Sequence, residues 1–417
     1  MNVRSFFHHI GAFIHSPLPI GGLEISDAFL RYVALDGDRA LPLTVRLPPG
    51  VLDNGMIIQR DVFAVALGEL SQQLLRFEKS QNVVVTLASS HVYTQVIRVP
   101  VVAEAQYDAT LDVALRANSP LDIASAYYDA EPLGFGVSNE QEFLAAYVDR
   151  RLIDPLCDFL AEIGFTVVAI EFPALSLTRA VAMFGRGVDL QQPALLISVV
   201  PDGADFIVMR NGRLLFHYWQ SFRELTESGS ERAITVFAFQ SLVSNTIGRT
   251  LNFYTSQWGG SVRDAILFRH NLLSALRPVL EGFGLRPSVL STSRFDDVLR
   301  TAPFAFGAAL RGGISRRDDV FLSIAPVGTE VGFFRAQFWH FISLWRFAFA
   351  VATVGVLLLF LVTDVFLAQQ QPRYSLPAIS PSEEIAFRDA QLLRDQAIAF
   401  NRSVDFVGAA FAERGAF

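Results

Sequence analysis

At 417 residues, with 51% hydrophobic and 12% aromatic content, the chain is long enough for two or three domains and a sizeable core. A net charge of −7 and a pI near 5.6 leave no basic face broad enough to neutralise many phosphates, which excludes nucleic acid as a partner. Lys79 follows Glu78 and is the sole lysine, so no P-loop is present, and the single Cys157 has no internal disulfide partner and fits a reducing compartment.

Residues 1–19 read as an amphipathic lead-in. Phe6, Phe7, Ile10, Phe13 and Ile14 share a helical face expected to dock on the chain's own surface. His8, His9 and His15 interrupt any signal-peptide core, and with no carboxylate or cysteine at ligand spacing they make no metal site. Three short strands over 20–47 lead into the Pro/Gly/Asn loop LPPGVLDNG. A helix is predicted over 61–77, with Val62, Val65, Ala66, Leu70, Leu74 and Leu75 as its apolar face. An apolar strand, a Ser-Ser turn and an alternating strand follow, then a helix over 103–117 and two strands flanking GFGVSNE. That connector has Asn139 where a dinucleotide fingerprint needs its third glycine. Residues 151–163 place Leu152, Ile153, Leu156, Phe159, Leu160 and Ile163 on one stripe ending at Gly164, a helix stop.

The pattern then restarts. Residues 194–219 repeat the strand, turn, strand, Asn-Gly hairpin and strand of the opening. A long helix over about 231–256, the strand AILF, and helices over 270–283 and 303–311 complete it. Three strands followed by alternating helix and strand, twice over, give two duplicated α/β subdomains, about 20–190 and 191–312. This is the sequence image of an α/β, actin-like (ASKHA) fold. RGGISRRDD at 311–319 reads as connector.

Residues 347–363 carry no charge and FISLW precedes them, so 341–367 is predicted to be a single transmembrane helix. Trp339 and Trp345 suit an interface, and Arg335 and Arg346 outnumber Arg373 across the span, which places the N-terminal body in the cytoplasm. Beyond it, 368–417 reads as a periplasmic extended segment and a helix capped by Ser382, with Ile385, Leu392, Ala399 and Phe406 seven apart. That spacing leaves room for pairing with a partner or a second copy.

Over residues 1–312 the chain resembles the type IV pilus assembly protein PilM and, in layout, the type II secretion platform protein GspL. The carrying pieces are LPPGVLDNGMI, IRVP at 97–100, IGFTVVAIEFPALSLTRA at 163–180 and FGAALRG at 306–312. A second resemblance lies in 313–340: FLSIAP, residues Phe321, Leu322, Ser323, Ile324, Ala325 and Pro326, is similar to the F-I-N-L-L-P stretch of PilN, which binds a groove on PilM. The two together imply a PilM-like body continuing into a PilN-like anchor. They also imply PilN/PilO-like inner-membrane partners, a cytoplasmic assembly motor and inner-membrane localisation. Whether the segment docks in cis or in trans is open.

An actin-like nucleotide cleft needs an acid and a bare glycine in each of two hairpins, and a Gly-rich turn before a helix. Here Glu24 and Ser26 occupy the first hairpin's positions, Ser198 and Val200 the second's, and Arg269, His270 and Asn271 the turn. Asp202 offers a shifted acid, and Arg269 or His270 could fill the cleft. The expectation is a scaffold with no cofactor and no catalytic residue; the alternative is an ATP- and Mg-binding switch. His217 is read as a satisfied fold histidine, and Asp364 as snorkelling at the membrane edge.

Overall fold

The computed structural model describes residues 18–53, 55–77, 79–134, 139–222, 235–292, 294–370 and 380–414, without side chains at 104, 270, 271, 370 and beyond 405. The amphipathic lead-in and most of the Pro/Ser-rich segment after the apolar helix therefore lie outside the described residues. The chain forms two compact units, Met1–Ile342 and Ser343–Phe417.

The first unit opens with the antiparallel meander β1 (Gly21–Ser26), β2 (Phe29–Asp36) and β3 (Arg39–Arg46), then the small hairpin β4 (Leu52–Asp53) and β5 (Met56–Ile57). Helix α1 (Arg60–Arg76) leads to β6 (Asn82–Thr86), whose run NVVVT is apolar because it lies inside the sheet, parallel to β1. The stripe that α1 buries is Phe63, Ala66, Leu67, Leu70, Ser71 and Leu74, while Val65 and Leu75 stand in solvent. The helix is thus rotated from the expected face: steps of three and four from Phe63 stay on one side, and Val65 falls off it.

Strands β7 (Tyr93–Pro100), β8 (Ala126–Pro132) and β9 (Glu140–Asp149) form a separate sheet, ordered β7-β9-β8 and backed by α2 (Glu104–Ala117). Around it Ile97, Val99, Leu115, Phe143, Ala145 and Tyr147 make their own apolar cluster. The duplicated pattern read from sequence did not separate this inserted module from the main sheet. Helix α3 (Arg150–Glu162) buries Leu152, Ile153, Leu156, Phe159 and Leu160 and stops at Gly164, φ +95°. Then β10 (Thr166–Glu171) pairs in parallel with β6, and α4 (Pro173–Phe184) follows.

The second half repeats the first. Strands β11 (Ala194–Val200), β12 (Gly203–Arg210) and β13 (Arg213–Ser221) form the meander. Helix α5 (Val236–Trp258), β14 (Asp264–Leu267), α6 (His270–Gly282) and β15 (Arg286–Val289) complete the sheet, followed by α7 (Asp296–Thr301) and α8 (Pro303–Gly312). The two sheets run β10-β6-β1-β2-β3 and β15-β14-β11-β12-β13, one topology used twice. The sequence reading did not identify β15 and α7, because RPSV contains a proline and lacks apolar alternation, and α7 is a turn and a half long.

Helix α8 packs against β1, β2, β6 and α4. The fit needs bare backbone: a Cβ on Gly22 would sit 1.9 Å from the Ala305 carbonyl oxygen, and one on Gly307 would sit 2.1 Å from that of Ser176. The stretch 311–319, read as connector, is built into the fold instead, with Arg311 buried and ion-paired to Asp319 at 2.8 Å. Helix α9 (Glu330–Gln370) starts in this unit, and its Phe333 packs with Ile20, Val84, Val168 and Ala308.

Among the described residues, α9 is the helix long and apolar enough to cross a membrane, with a mean hydropathy of 2.4 in its best window. Helix α10 (Pro381–Arg414) is capped by Ser380, two residues earlier than expected. The Glu383 amide donates to Ser380 Oγ at 3.4 Å, and the Ser380 amide donates to Glu383 Oε2 at 3.0 Å, a capping box with Pro381 at N1.

Candidate functional site

The turns of the two meanders face each other across a cavity of about 650 Å³. Glu24, Ser26, Val200 and Arg269 all line it, although they lie far apart in sequence. Ser198 is buried beside it in a smaller recess that Val200 and Arg269 share. His270 and Asn271 open α6, but their side chains lie outside the described residues.

Glu24 sits opposite Arg31 in the β1–β2 register and accepts from Arg31 Nη1 at 2.7 Å. Burial raises its carboxyl above the ordinary range, opposed by Arg31 and by the Ala305 amide at the start of α8. One of its oxygens is thus paired within its own hairpin, while Oε2 is buried without a hydrogen-bond partner. Ser26 closes the β1–β2 turn: its Oγ donates to the Phe29 carbonyl at 3.0 Å and accepts from the Phe29 amide at 3.2 Å. Val200, the last residue of β11, pairs with Gly203 and puts a branched side chain where a bare amide would be needed. Arg269 lines the cavity without closing it.

One acid in the cleft escaped the sequence reading. Asp205 lies directly across the β11–β12 ladder from Ser198, so the two share a face. It lines the cavity and accepts from His217 Nε2 at 2.8 Å. The signal available was the strand register: counting across the hairpin from Ser198 reaches Asp205. Among the described residues, no group of three His, Cys, Asp or Glu side chains is placed to hold a metal ion.

A second site lies where β8 and β10 approach. Residues 321–324 are seated there by their own chain. The Ile324 amide donates to the Ile170 carbonyl at 2.9 Å, and the Ile170 amide donates to Ser323 Oγ at 3.2 Å. The amides of Leu322 and Ser323 donate to Glu131 at 3.2 Å and Asp129 at 2.7 Å on β8. Leu322 and Ile324 are 1% and 0% exposed, whereas Ala325 and Pro326 are only half-buried.

Beneath the segment lies a buried charge network. Glu171 accepts from Arg179 at 2.8 Å through both oxygens, from Ser176 Oγ at 2.6 Å and from Arg311 at 3.1 Å. Burial works to raise the Glu171 carboxyl, but the two guanidiniums and Ser176 outweigh it and hold it below the usual range. Arg311 then donates to the carbonyls of Phe321 at 2.6 Å and Leu322 at 2.9 Å, and Arg179 lies 4.6 Å from the Phe321 ring centroid. Two of the four stretches that carried the first resemblance, 163–180 and 306–312, thus join β8 in forming the groove for 321–324, part of the segment that carried the second.

Among solved structures the chain is similar to one of the PilM-PilN type IV pilus biogenesis complex, at 17% identity and a TM-score of 0.57, covering 72% of this chain and 99% of that one. The fold is actin-like. Similarity extends to the cytoplasmic domain of EpsL, an inner-membrane component of the type II secretion system of Vibrio cholerae, at 12% identity and TM-score 0.39, covering 68% of this chain and 93% of that one. It also extends to a Bacteroides thetaiotaomicron protein with an actin-like ATPase fold, at 11% identity and TM-score 0.40, covering 69% and 96%. No family model and no curated protein matches the chain.

Proposed function

We propose that this chain is a non-enzymatic inner-membrane scaffold of a type IV pilus or related secretion machine, coupling a cytoplasmic motor to periplasmic components. The observation that carries the reading is the seat of residues 321–324 between β8 and β10, immediately before a helix of membrane-spanning length. The solved complex similar to this body contains PilM and PilN. Here body and anchor are one polypeptide, so the docking that two proteins would share becomes intramolecular. Fusion replaces a bimolecular equilibrium by a high effective concentration. The cleft supports the absence of turnover, because Glu24 is committed to Arg31, Ser26 to its own turn, and Val200 blocks an amide approach.

In this reading the body faces the cytoplasm, α10 lies in the periplasm, no cofactor is needed, and the partners are PilN/PilO-like inner-membrane proteins. The test is purification of the full chain in detergent from its native cells, with copurifying proteins identified and MgATP hydrolysis measured. Pilus or secretion inner-membrane proteins without hydrolysis above blank are the expected result. Hydrolysis abolished by Glu24→Ala would establish an actin-like ATPase instead.

A further inference from the structure

Helix α10 is 34 residues long and belongs to the second unit, and its residues 381–405 all stand exposed. Leu393, Phe400 and Val404 are 66%, 68% and 51% exposed, which in water is apolar surface without cover. These residues belong to a heptad repeat. Ala390, Ala397, Val404 and Phe411 recur at one position, written a. Three residues after a, position d holds Leu393, Phe400 and Val407, with Ala386 one heptad earlier. Every place in this seam is apolar over about four heptads, the length at which such a repeat specifies a coiled coil. The evenly spaced set of Ile385, Leu392 and Ala399 makes no such seam, because Arg388, Asp395 and Arg402 stand three residues after them.

The positions flanking the seam decide what covers it. From 389 to 403 they hold Asp389, Arg394, Gln396, Asn401 and Ser403, so the apolar strip is narrow and fits one partner helix. In a parallel pair, a residue at g on one helix meets the residue five positions later, at e, on the other. That rule matches Asp389 with Arg394 of a second copy and Gln396 with Asn401, and two-fold symmetry makes each match twice. Over 381–405 the helix carries more acids than arginines and no lysine, the wrong balance for lying on an anionic lipid surface. With α9 as anchor, two copies start α10 on the same side of the membrane. Residues 371–380 reach about 35 Å, whereas an upright antiparallel pair would need one helix to start about 51 Å away, a full helix length.

We propose that α10 pairs with α10 of a second copy as a parallel, in-register, two-stranded coiled coil, so that the protein is a dimer joined beyond its long apolar helix. The seam is buried between the copies, and Asp389 and Arg394 set the register. The assignment rests on α9 and α10 alone and is independent of the scaffold role.

The test uses the full chain in native membranes with Cys157→Ser, which removes its single thiol, oxidised with copper phenanthroline and read on non-reducing gels. Ala397→Cys should give a disulfide-linked dimer of twice the chain mass, because a faces a only in a parallel, in-register pair. Gln391→Cys, at the outward position b, should give roughly tenfold less. Adding Asp389→Arg to Ala397→Cys sets like charges opposite each other and should cut the dimer roughly fivefold. Adding Arg394→Asp to that should restore it, a rescue that requires the two residues to meet across copies. No dimer from Ala397→Cys, an equal yield from Gln391→Cys, cross-linking of Ala397→Cys chiefly to a protein of another mass, or no rescue by the double charge reversal would each overturn the proposal.

Discussion

Replacing Ile324 with alanine is expected to loosen residues 321–326 from their groove while leaving the body folded. Ile324 is 0% exposed, and its amide bonds to the edge of β10, so the substitution removes three buried carbons without touching the backbone hydrogen bond. Truncations of this type cost about 2–5 kcal/mol, and a site between two strand edges, which can partly collapse, falls near ~3 kcal/mol. That figure is roughly two powers of ten in the docking equilibrium. Hydrogen exchange on the full chain reads it directly: amides of 322–324 and of Ile170 should exchange on the order of a hundredfold faster in the variant. Val320→Ala, at a position 62% exposed, should change nothing measurable. Unchanged exchange over 322–324 would refute the docking argument. Acceleration spread equally over β1 and β11 would refute it too, because it would make Ile324 an ordinary core residue.

Three further outcomes follow from the same geometry. Burial raises the carboxyls of Asp129 and Glu131, opposed by the amides of Ser323 and Leu322 among others, so the folded chain binds protons at these groups more tightly than the unfolded one. Their contribution to stability should therefore be fully present below the ordinary carboxylate range, about pH 4, and be lost as pH rises through the raised values. Glu131→Gln should flatten this profile in exchange rates corrected for intrinsic pH dependence; Glu171, held low, contributes the opposite slope only below that range. Gly307→Ala should lower stability by about 3 kcal/mol or more because α8 must leave α4, whereas Gly248→Ala, whose Cβ meets Phe283 at 3.6 Å, should raise it by about 0.5–1 kcal/mol; thermal melts separate the two. Cys157, pushed up to about 12 by burial and then by Asp154 and Asp158, should resist alkylation at pH 8 in the native protein and react promptly in urea.

The sequence by itself determined the actin-like architecture, the stripe on α3 with its Gly164 stop, and the long apolar helix. These rest on periodicity and turn chemistry, which are local properties of the chain. It also marked 321–326 as a segment to watch and named Glu24, Ser26, Val200 and Arg269, four residues that line the cavity. What it missed was set by partners distant in sequence. The face of α1 was chosen by the sheet beneath it, which is why Phe63 and Leu67 went inside and Val65 did not. The module β7-β9-β8 became a separate sheet because its strands pair with one another, a matter of register that no single strand encodes.

Arg311 looked like part of a connector, since an arginine followed by two glycines reads as solvated until Glu171, brought 140 positions along the chain, lies 3.1 Å away. Asp205 was passed over as a cleft residue because its place shows only when the β11–β12 pairing opposite Ser198 is counted out. Local pattern thus decided which elements form. Only the tertiary structure decided which buried charges meet, because a charge loses its water and needs a partner only once distant segments have closed over it.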